Sequence, residues 1–333
     1  MTGRWKQRPE GGGRFAIWLI RSIVRYCGRA PGRVLLYPIT LYFLARRGPE
    51  RRASRAFFTR ALGRPASLLD VARHIHTFAA TILDRVLLLS GELHRFDIGI
   101  EGLPHLEHFL DQGRGVLLFG SHLGSFEVLR VLARNRPEIG LRVVLDKGHN
   151  PAMTDLLDAL NPGVAATVID AGQPGTTIML EIQQAIAQGQ IVALLVDRPQ
   201  PGELAQAVPF MGDDAPFPVA PWQIAAVLGA PVLLAFGLYR GGNRYDLCFE
   251  AFSDGEAVPR LQRARHVAAL ICRYAARLEH HARQAPFNWF NFYDYWLHDG
   301  GQHDRNTEAR RDNGAAGDPA VAEHAAGDPA SRG

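Results

Sequence analysis

From Arg95 onward this 333-residue chain alternates short apolar runs with stretches of helical periodicity, and that alternation limits the fold more than any other feature. Strand-like runs fall at Val116–Phe119, Arg142–Leu145, Thr167–Asp170, Ile191–Val196, Pro231–Leu238 and Tyr245–Phe252. Helical stretches lie between and after them, at Glu127–Ala133, Ala152–Leu160, Thr176–Ala187, Ala220–Leu228 and Leu261–Arg283. The pattern predicts an α/β domain whose mostly parallel or mixed sheet is flanked by helices. Ligands of such sheets gather outside the carboxyl ends of the strands. That edge would carry His122, Lys147 and the Asp197–Arg198 pair. Upstream, Glu50–Ser90 reads as two helices broken at Gly63–Pro65, with Ser67 and Asp70 forming a capping-box-like start to the second. His74 and His76 are two apart on that helix and cannot share a face as a metal pair would, so they read as structural.

Charge is distributed unevenly. Residues 1–65 hold fifteen Arg and Lys against two acids, Glu10 and Glu50, so this segment carries +13 and the remainder −9 of the net +4. A basic segment of this kind suits an anionic surface. No helix-turn-helix, zinc-finger or RNP-type motif points to nucleic acid. Phe15–Tyr26 puts Arg14, Arg21 and Arg25 on one helical face and resembles an interfacial amphipathic helix. Val34–Ala45 is an uncharged apolar run, but at about twelve residues it falls short of the roughly twenty that span a bilayer, and Pro38 interrupts it. No small-residue cleavage site follows it, which disfavours a signal peptide. The flanking arginines fit the cytoplasmic leaflet; the alternative is a helical subdomain with a basic solvated face. The three cysteines, Cys27, Cys248 and Cys272, lie far apart and form no metal-ligand spacing, and they fit a reducing compartment. From Gly300 the chain is rich in Gly, Ala, Asp and Pro and repeats AAGDPA at Ala315–Ala320 and Ala325–Ala330, a composition that reads as disordered. The expected organisation is therefore a membrane-associating segment over 1–48, an α/β domain with an N-terminal helical hairpin over 49–299, and a tail over 300–333.

Chemistry concentrates in Gly115–Arg130, GVLLFGSHLGSFEVLR. His122 and Glu127 stand in an H-x4-E spacing just past a buried-strand run. Spacing alone is weak, because about one such match is expected by chance in a chain of this composition; a second, His303 and Glu308, occurs in the polar tail. In a continuous helix, residues five apart point about 140° away from each other. The two side chains meet only if the chain turns, and Gly120 and Gly124 permit a turn. Glu127 would then sit near a helix N-terminus, where the dipole favours its ionised form. Ser121 and Ser125 flank the histidine, but there is no G-x-S-x-G elbow, Walker A loop or dinucleotide-binding glycine fingerprint. Three further patterns follow: Asp197-Arg198-Pro199 at the end of a buried run, a Val208-Pro209-Phe210-Met211-Gly212 turn, and the aromatic Pro286–Trp296, PFNWFNFYDYW. The arginine could hold a phosphate or carboxylate, or simply pair with its neighbour. The aromatics read as a segment packed on the core, an acyl-chain wall or a membrane-interface belt.

Taken in this order, with the Asn150-Pro151 turn, these motifs resemble the lipid A biosynthesis (late) acyltransferase family, within the lysophospholipid acyltransferase superfamily. The similarity runs from about Arg33 to Trp296. It implies a glycerolipid acyltransferase-like fold and transfer of a fatty acyl group from an acyl carrier protein or CoA thioester to a hydroxyl or amine of a membrane lipid or glycolipid. It also implies action at the cytoplasmic face of the inner membrane, with no metal or bound cofactor. His122 would be the general base and Glu127 its orienting partner. Arg198, with Asp197 and Lys147, would hold phosphate or headgroup groups. Ser121, Gly124 and Ser125 would line the substrate, with N–H groups near Leu123–Ser125 meeting the oxyanion. One departure concerns the acceptor. Leu141–Asn150 offers only Arg142 and Lys147 where lipid A enzymes often carry more basic residues, and the chain ends in aromatics and an acidic tail. A glycolipid, an aryl-polyene-type lipid or an ornithine-type lipid is therefore as compatible as lipid A. Two other classes fit the same pattern: a thioesterase or lipase in which water replaces the acceptor, and a noncatalytic membrane-binding module.

Overall fold

A computed structural model describes residue 22 and residues 28–135, 140–148, 151–160, 162–200 and 202–296. The Phe15–Tyr26 helix, apart from Ser22, and Asn150, Cys27, His303, Glu308 and the AAGDPA repeats lie outside the described residues.

Three helices open the described chain: α1 (Arg29–Arg46), α2 (Gly48–Leu62) and α3 (Leu68–Leu89). The helix α1 runs on through Pro38 rather than breaking there. The proline is exposed, so the backbone hydrogen bond it removes is lost on a solvent-facing side. Gly32, Leu36 and Thr40, four apart, form the buried face of α1, which packs on α3. A buried ion pair fixes that packing. Arg29 forks onto Asp84 of α3 at 2.7 Å through both Nε and Nη2, and the Tyr245 hydroxyl donates to the same carboxylate at 3.0 Å. At the start of α3 the Ser67–Asp70 capping box is formed in both directions, as its sequence suggests.

The chain continues as β1 (Asp97–Glu101), α4 (Leu103–Leu110), β2 (Val116–Gly120), α5 (Arg130–Asn135), β3 (Leu141–Leu145), α6 (Pro151–Leu160), α7 (Pro162–Ala165), β4 (Val168–Asp170), α8 (Gly175–Ala187) and β5 (Ile191–Leu195). It closes with β6 (Ala205–Phe210), β7 (Asp213–Pro218), α9 (Ala220–Leu228), β8 (Val232–Gly241), β9 (Arg244–Ser253) and α10 (Arg260–Gln284). Seven strands form one sheet in the order β1-β9-β8-β2-β5-β3-β4. The pairs β8–β2, β2–β5, β5–β3 and β3–β4 are parallel, and β8–β9 is antiparallel, so the sheet is mixed with a parallel centre. Side chains alternate across it. Leu117, Phe119, Val192 and Leu194 join Trp222, Ile271 and Tyr274 on the face under α9 and α10. Val116, Leu118, Ile191 and Ala193 join Leu83, Leu87, Leu106 and Phe109 on the face under α3 and α4. Burial on both faces explains why the central strands read as unbroken apolar runs.

Strand β1 and helix α4 carry too weak a pattern to be assigned from residues alone, since β1 is nowhere fully buried. The Pro209–Gly212 turn belongs to a two-stranded antiparallel hairpin, β6–β7. Met211 and Gly212 lie at its tip with φ of 53° and 93°, the left-handed pair that a tight two-residue hairpin requires.

His74 proves structural. It is fully buried, its Nε2 bonds the carbonyl oxygen of Trp289 at 3.0 Å, and its Nδ1 bonds Ser54 Oγ at 2.9 Å. The carbonyl can only accept, so Nε2 carries the proton and Nδ1 accepts from the serine. Burial is the main force on its pKa and lowers it to about 3, outweighing the bond to Trp289. The unfolded chain therefore binds a proton that the folded chain refuses between pH 6.5 and about 3. Stability should be complete above pH 6.5 and fall as pH drops through that window, by up to about 1.4 kcal/mol per pH unit from this group. Denaturant unfolding at pH 7, 5.5 and 4.5 measures it, and His74→Gln should flatten the slope in proportion.

Candidate active site

The parallel pairing of β2 with β5 brings the site together. Gly120 pairs with Leu195, and Val196 N–H donates to Gly120 O at 3.1 Å. Two residues past each paired end stand His122 and Asp197. Their contact follows from register, and it is double: Asp197 Oδ1 accepts from the His122 backbone N–H at 3.1 Å and lies 2.8 Å from Nδ1 of the ring. Asp197 is fully buried, whereas 40% of the His122 side chain is accessible. Nδ1 is thus occupied, and Nε2 has no partner among the described residues.

Electrostatics set the charge states. Burial acts to raise the Asp197 pKa, but His122, its two hydrogen bonds and the Arg198 charge outweigh it and hold the carboxyl at about 2. The His122 ring is accessible on part of its surface yet deeply surrounded by protein. Burial, then the Arg198 charge, lower its pKa against the opposing pull of Asp197, and Arg85 lowers it further. At neutral pH the pair is an aspartate and a neutral imidazole, with Nδ1–H given to the carboxylate and Nε2 left as the basic nitrogen.

Glu127 does not meet His122. The turn after Ser125 is a short 3₁₀ segment, Phe126–Leu129, before α5. Both Glu127 oxygens are engaged there: Oε1 lies 2.6 Å from Arg85 Nε on α3, and Oε2 accepts from Ser125 Oγ at 2.8 Å. The N–H groups expected to meet an oxyanion are largely spent as well. Gly124 N–H donates to Asn288 O and Ser125 N–H to Gly237 O, each at 2.8 Å. Ser121 and Ser125 are buried. Ser121 lies beside Tyr274, whose hydroxyl donates to Gly120 O at 2.9 Å.

The other candidates are distributed as follows. Arg198 Nη2 donates to Phe290 O at 2.5 Å, its Nε lies 3.5 Å from Asp197 Oδ2, and its guanidinium stacks 5.3 Å from the Tyr293 ring. It is a buttress as much as a free cation. Lys147 stands at the end of β3, two strands from β2, where its N–H donates to Asp170 at 3.2 Å. The aromatic segment is a packed strap. Trp289, Phe290, Tyr295 and Trp296 are buried. Phe290 N–H donates to His122 O at 2.9 Å, the Tyr295 hydroxyl donates to Asp197 O at 2.6 Å, and Trp296 Nε1 donates to Phe210 O at 3.0 Å. The strap thus grips the backbone of both members of the dyad, in keeping with the core-packing alternative. Among the described residues, no group of three His, Cys, Asp or Glu is arranged to hold a metal ion.

Residues 78–298 match the family model described as bacterial lipid A biosynthesis acyltransferase. The chain belongs to that family. It is an acyltransferase that moves a fatty acyl group onto a membrane lipid or glycolipid. No curated protein matches the chain. The matched span of this acyltransferase begins inside α3 and ends just past the aromatic strap, so it includes Arg85, His122, Glu127, Asp197 and Arg198.

The sequence places Asp197 beside Arg198 but does not show its bond to His122; the equal two-residue overhang past the paired strands is the signal for it. Nothing in a helix pattern shows that Arg85 meets this distant turn. Gly124 is required where it stands. Its φ is +82°, and a Cβ there would lie 1.9 Å from Gly237 O. Gly124→Ala should cost at least about 2 kcal/mol in denaturant unfolding and should remove the Ser125 N–H bond to Gly237.

Proposed function

We propose that His122 is the general base of acyl transfer and that Asp197, rather than Glu127, orients it. The observation that carries this reading is the 2.8 Å contact between Asp197 Oδ1 and His122 Nδ1, with Nε2 left free. Nε2 takes the proton of the acceptor hydroxyl or amine as that atom attacks the thioester carbonyl carbon. The new C–O or C–N bond forms while the carbonyl electron pair moves to oxygen. Collapse of the tetrahedral adduct breaks the C–S bond, and the leaving thiolate recovers the proton from His122. Asp197 fixes the ring tautomer and stabilises the imidazolium, as a triad aspartate does. No acyl-enzyme is needed. The buried Ser121, whose neighbouring imidazole is turned to Asp197, does not favour a serine hydrolase.

The donor in this reading is a thioester of acyl carrier protein or CoA, and the acceptor lies in the cytoplasmic leaflet of the inner membrane. No helix among the described residues is long and apolar enough to cross a membrane. Support for peripheral contact comes from the second face of α1. Val34, Tyr37, Leu41 and Tyr42 are more than half exposed; the first three follow the three-to-four-residue spacing of one helix stripe and Tyr42 widens it. Exposed Arg46, Arg52 and Arg55 lie along the following turns. Apolar side chains entering the acyl boundary beside arginines that meet anionic headgroups suit this face.

Three outcomes are expected. His122→Ala should lower turnover by about 10²–10⁴-fold with the fold retained; near-normal transfer would sink the assignment. Asp197→Asn should lower kcat on a similar scale. It should also move the acid limb of the pH–rate profile to lower pH, because the carboxylate raises the histidine's pKa. A limb that stays or rises contradicts the pairing. Leu41→Glu with Tyr42→Glu should abolish co-sedimentation with vesicles containing anionic phospholipid while leaving turnover of detergent-dispersed acceptor intact.

A further inference from the structure

We infer that Arg85 is the oxyanion-stabilising residue of this acyltransferase and that Glu127 acts through it, as the positioning residue for its guanidinium. The inference rests on the acyl-transfer reading above. Four observations lead to it.

First, three N–H groups of the turn that carries the histidine are already committed to the fold. The N–H groups of His122, Gly124 and Ser125 are bonded to Asp197, Asn288 and Gly237. A tetrahedral adduct formed at Nε2 still needs a preorganised donor, because that electrostatic term is usually the largest one in acyl transfer.

Second, Arg85 is held at that turn. Glu127, whose side chain is only 9% exposed, clasps the Arg85 Nε side at 2.6 Å, and Ser125 Oγ ties the other carboxylate oxygen back to the turn. The contact with Arg85 is ionic rather than an aligned hydrogen bond, so the guanidinium is seated without being consumed. Neither Nη has a hydrogen-bond partner among the described residues. The side chain is 28% exposed. Its charge reaches the histidine, whose pKa it depresses.

Third, the other guanidinium near the dyad is partly engaged. Arg198 gives Nη2 to Phe290 O and stacks on Tyr293. Fourth, Glu127 offsets part of the Arg85 charge, so the pair attracts a resting anion such as a phosphate less than a lone guanidinium would. Its free N–H groups still donate to an oxygen that gains charge only in the transition state, and this is the condition for lowering a barrier rather than tightening binding.

In the step itself, the acceptor oxygen or nitrogen bonds to the thioester carbonyl carbon, its proton passes to His122 Nε2, and the carbonyl π pair becomes the oxyanion that Arg85 Nη hydrogen-bonds. When the C–S bond breaks, that charge returns to the carbonyl and leaves with the thiolate, which His122 protonates.

The test is a kinetic series on the full chain with an acyl thioester donor and a dispersed lipid acceptor: Arg85→Gln, Arg85→Lys, Glu127→Gln, the double variant R85Q/E127Q and R85Q/D197N. Thermal unfolding confirms that each variant is folded. Arg85→Gln should lower kcat by about 10²–10³-fold with KM for the donor within about threefold, and should move the acid limb of the pH profile upward. Arg85→Lys should recover part of kcat and restore the limb. Glu127→Gln should lower kcat, but in the R85Q background it should cost nothing further, whereas Asp197→Asn in that background should multiply the loss. A raised KM with unchanged kcat would make Arg85 an anchor for an anionic group of a substrate and overturn the inference. So would near-normal turnover of R85Q, failure of R85K in a folded protein, or a multiplicative loss in R85Q/E127Q. Failure of the base assignment is separable: an active His122→Ala beside a kcat-deficient R85Q indicts the histidine alone, and the reverse indicts Arg85 alone.

Discussion

The structure depends on one buried carboxylate. Asp197 sits where β5 ends, fully buried, and accepts from both the backbone and the ring of His122 where β2 ends. An ionised carboxyl in such a place is unfavourable unless its oxygens are bonded and its charge is met. The histidine bonds Oδ1 twice, and Arg198 meets the charge from 3.5 Å at Oδ2, which accepts no hydrogen bond among the described residues; the observed turn is the conformation that delivers both. The same carboxylate that orders the turn also fixes which ring nitrogen is free. Order in the loop and a free Nε2 on the proposed base are therefore two results of one contact.

Other elements converge on this point. The aromatic strap bonds to His122 O through Phe290 and to Asp197 O through Tyr295, and His74 holds the strap from below through Trp289 O. On α3, consecutive residues face different partners: Asp84 takes Arg29 and Tyr245, while Arg85 meets Glu127. One helix thus links the segment proposed to touch the membrane with the turn that carries the proposed base. The Gly124–Gly237 approach lets that turn lie directly on β8, at a distance no side chain could share.

The α/β architecture was legible because central strands buried on both faces become continuous apolar runs, and all six expected strands are present within a few residues. The capping box and the long α10 were equally plain. What periodicity could not show was anything half-exposed or set by tertiary register. Strand β1 lacks a buried face, and the β6–β7 hairpin hides behind prolines that look like loop punctuation. At the site, the residues were found and their pairing was not. Glu127 was coupled to His122 because they are five apart, yet the chain turns so that Glu127 faces α3. Asp197, seventy-five residues away, reaches the ring instead. Chain proximity points to one carboxylate; strand order sets the other against the ring.

The central claim is that Asp197 holds His122 as a neutral Nδ1–H imidazole with a basic Nε2. Nitrogen NMR of histidine-labelled protein at pH 7 tests it most directly. The account predicts a protonated Nδ1 and an unprotonated Nε2 for His122, a pattern lost in Asp197→Asn and kept in Glu127→Gln. An Nε2–H tautomer in the unaltered protein, or a pattern lost with Glu127→Gln and kept with Asp197→Asn, would contradict it.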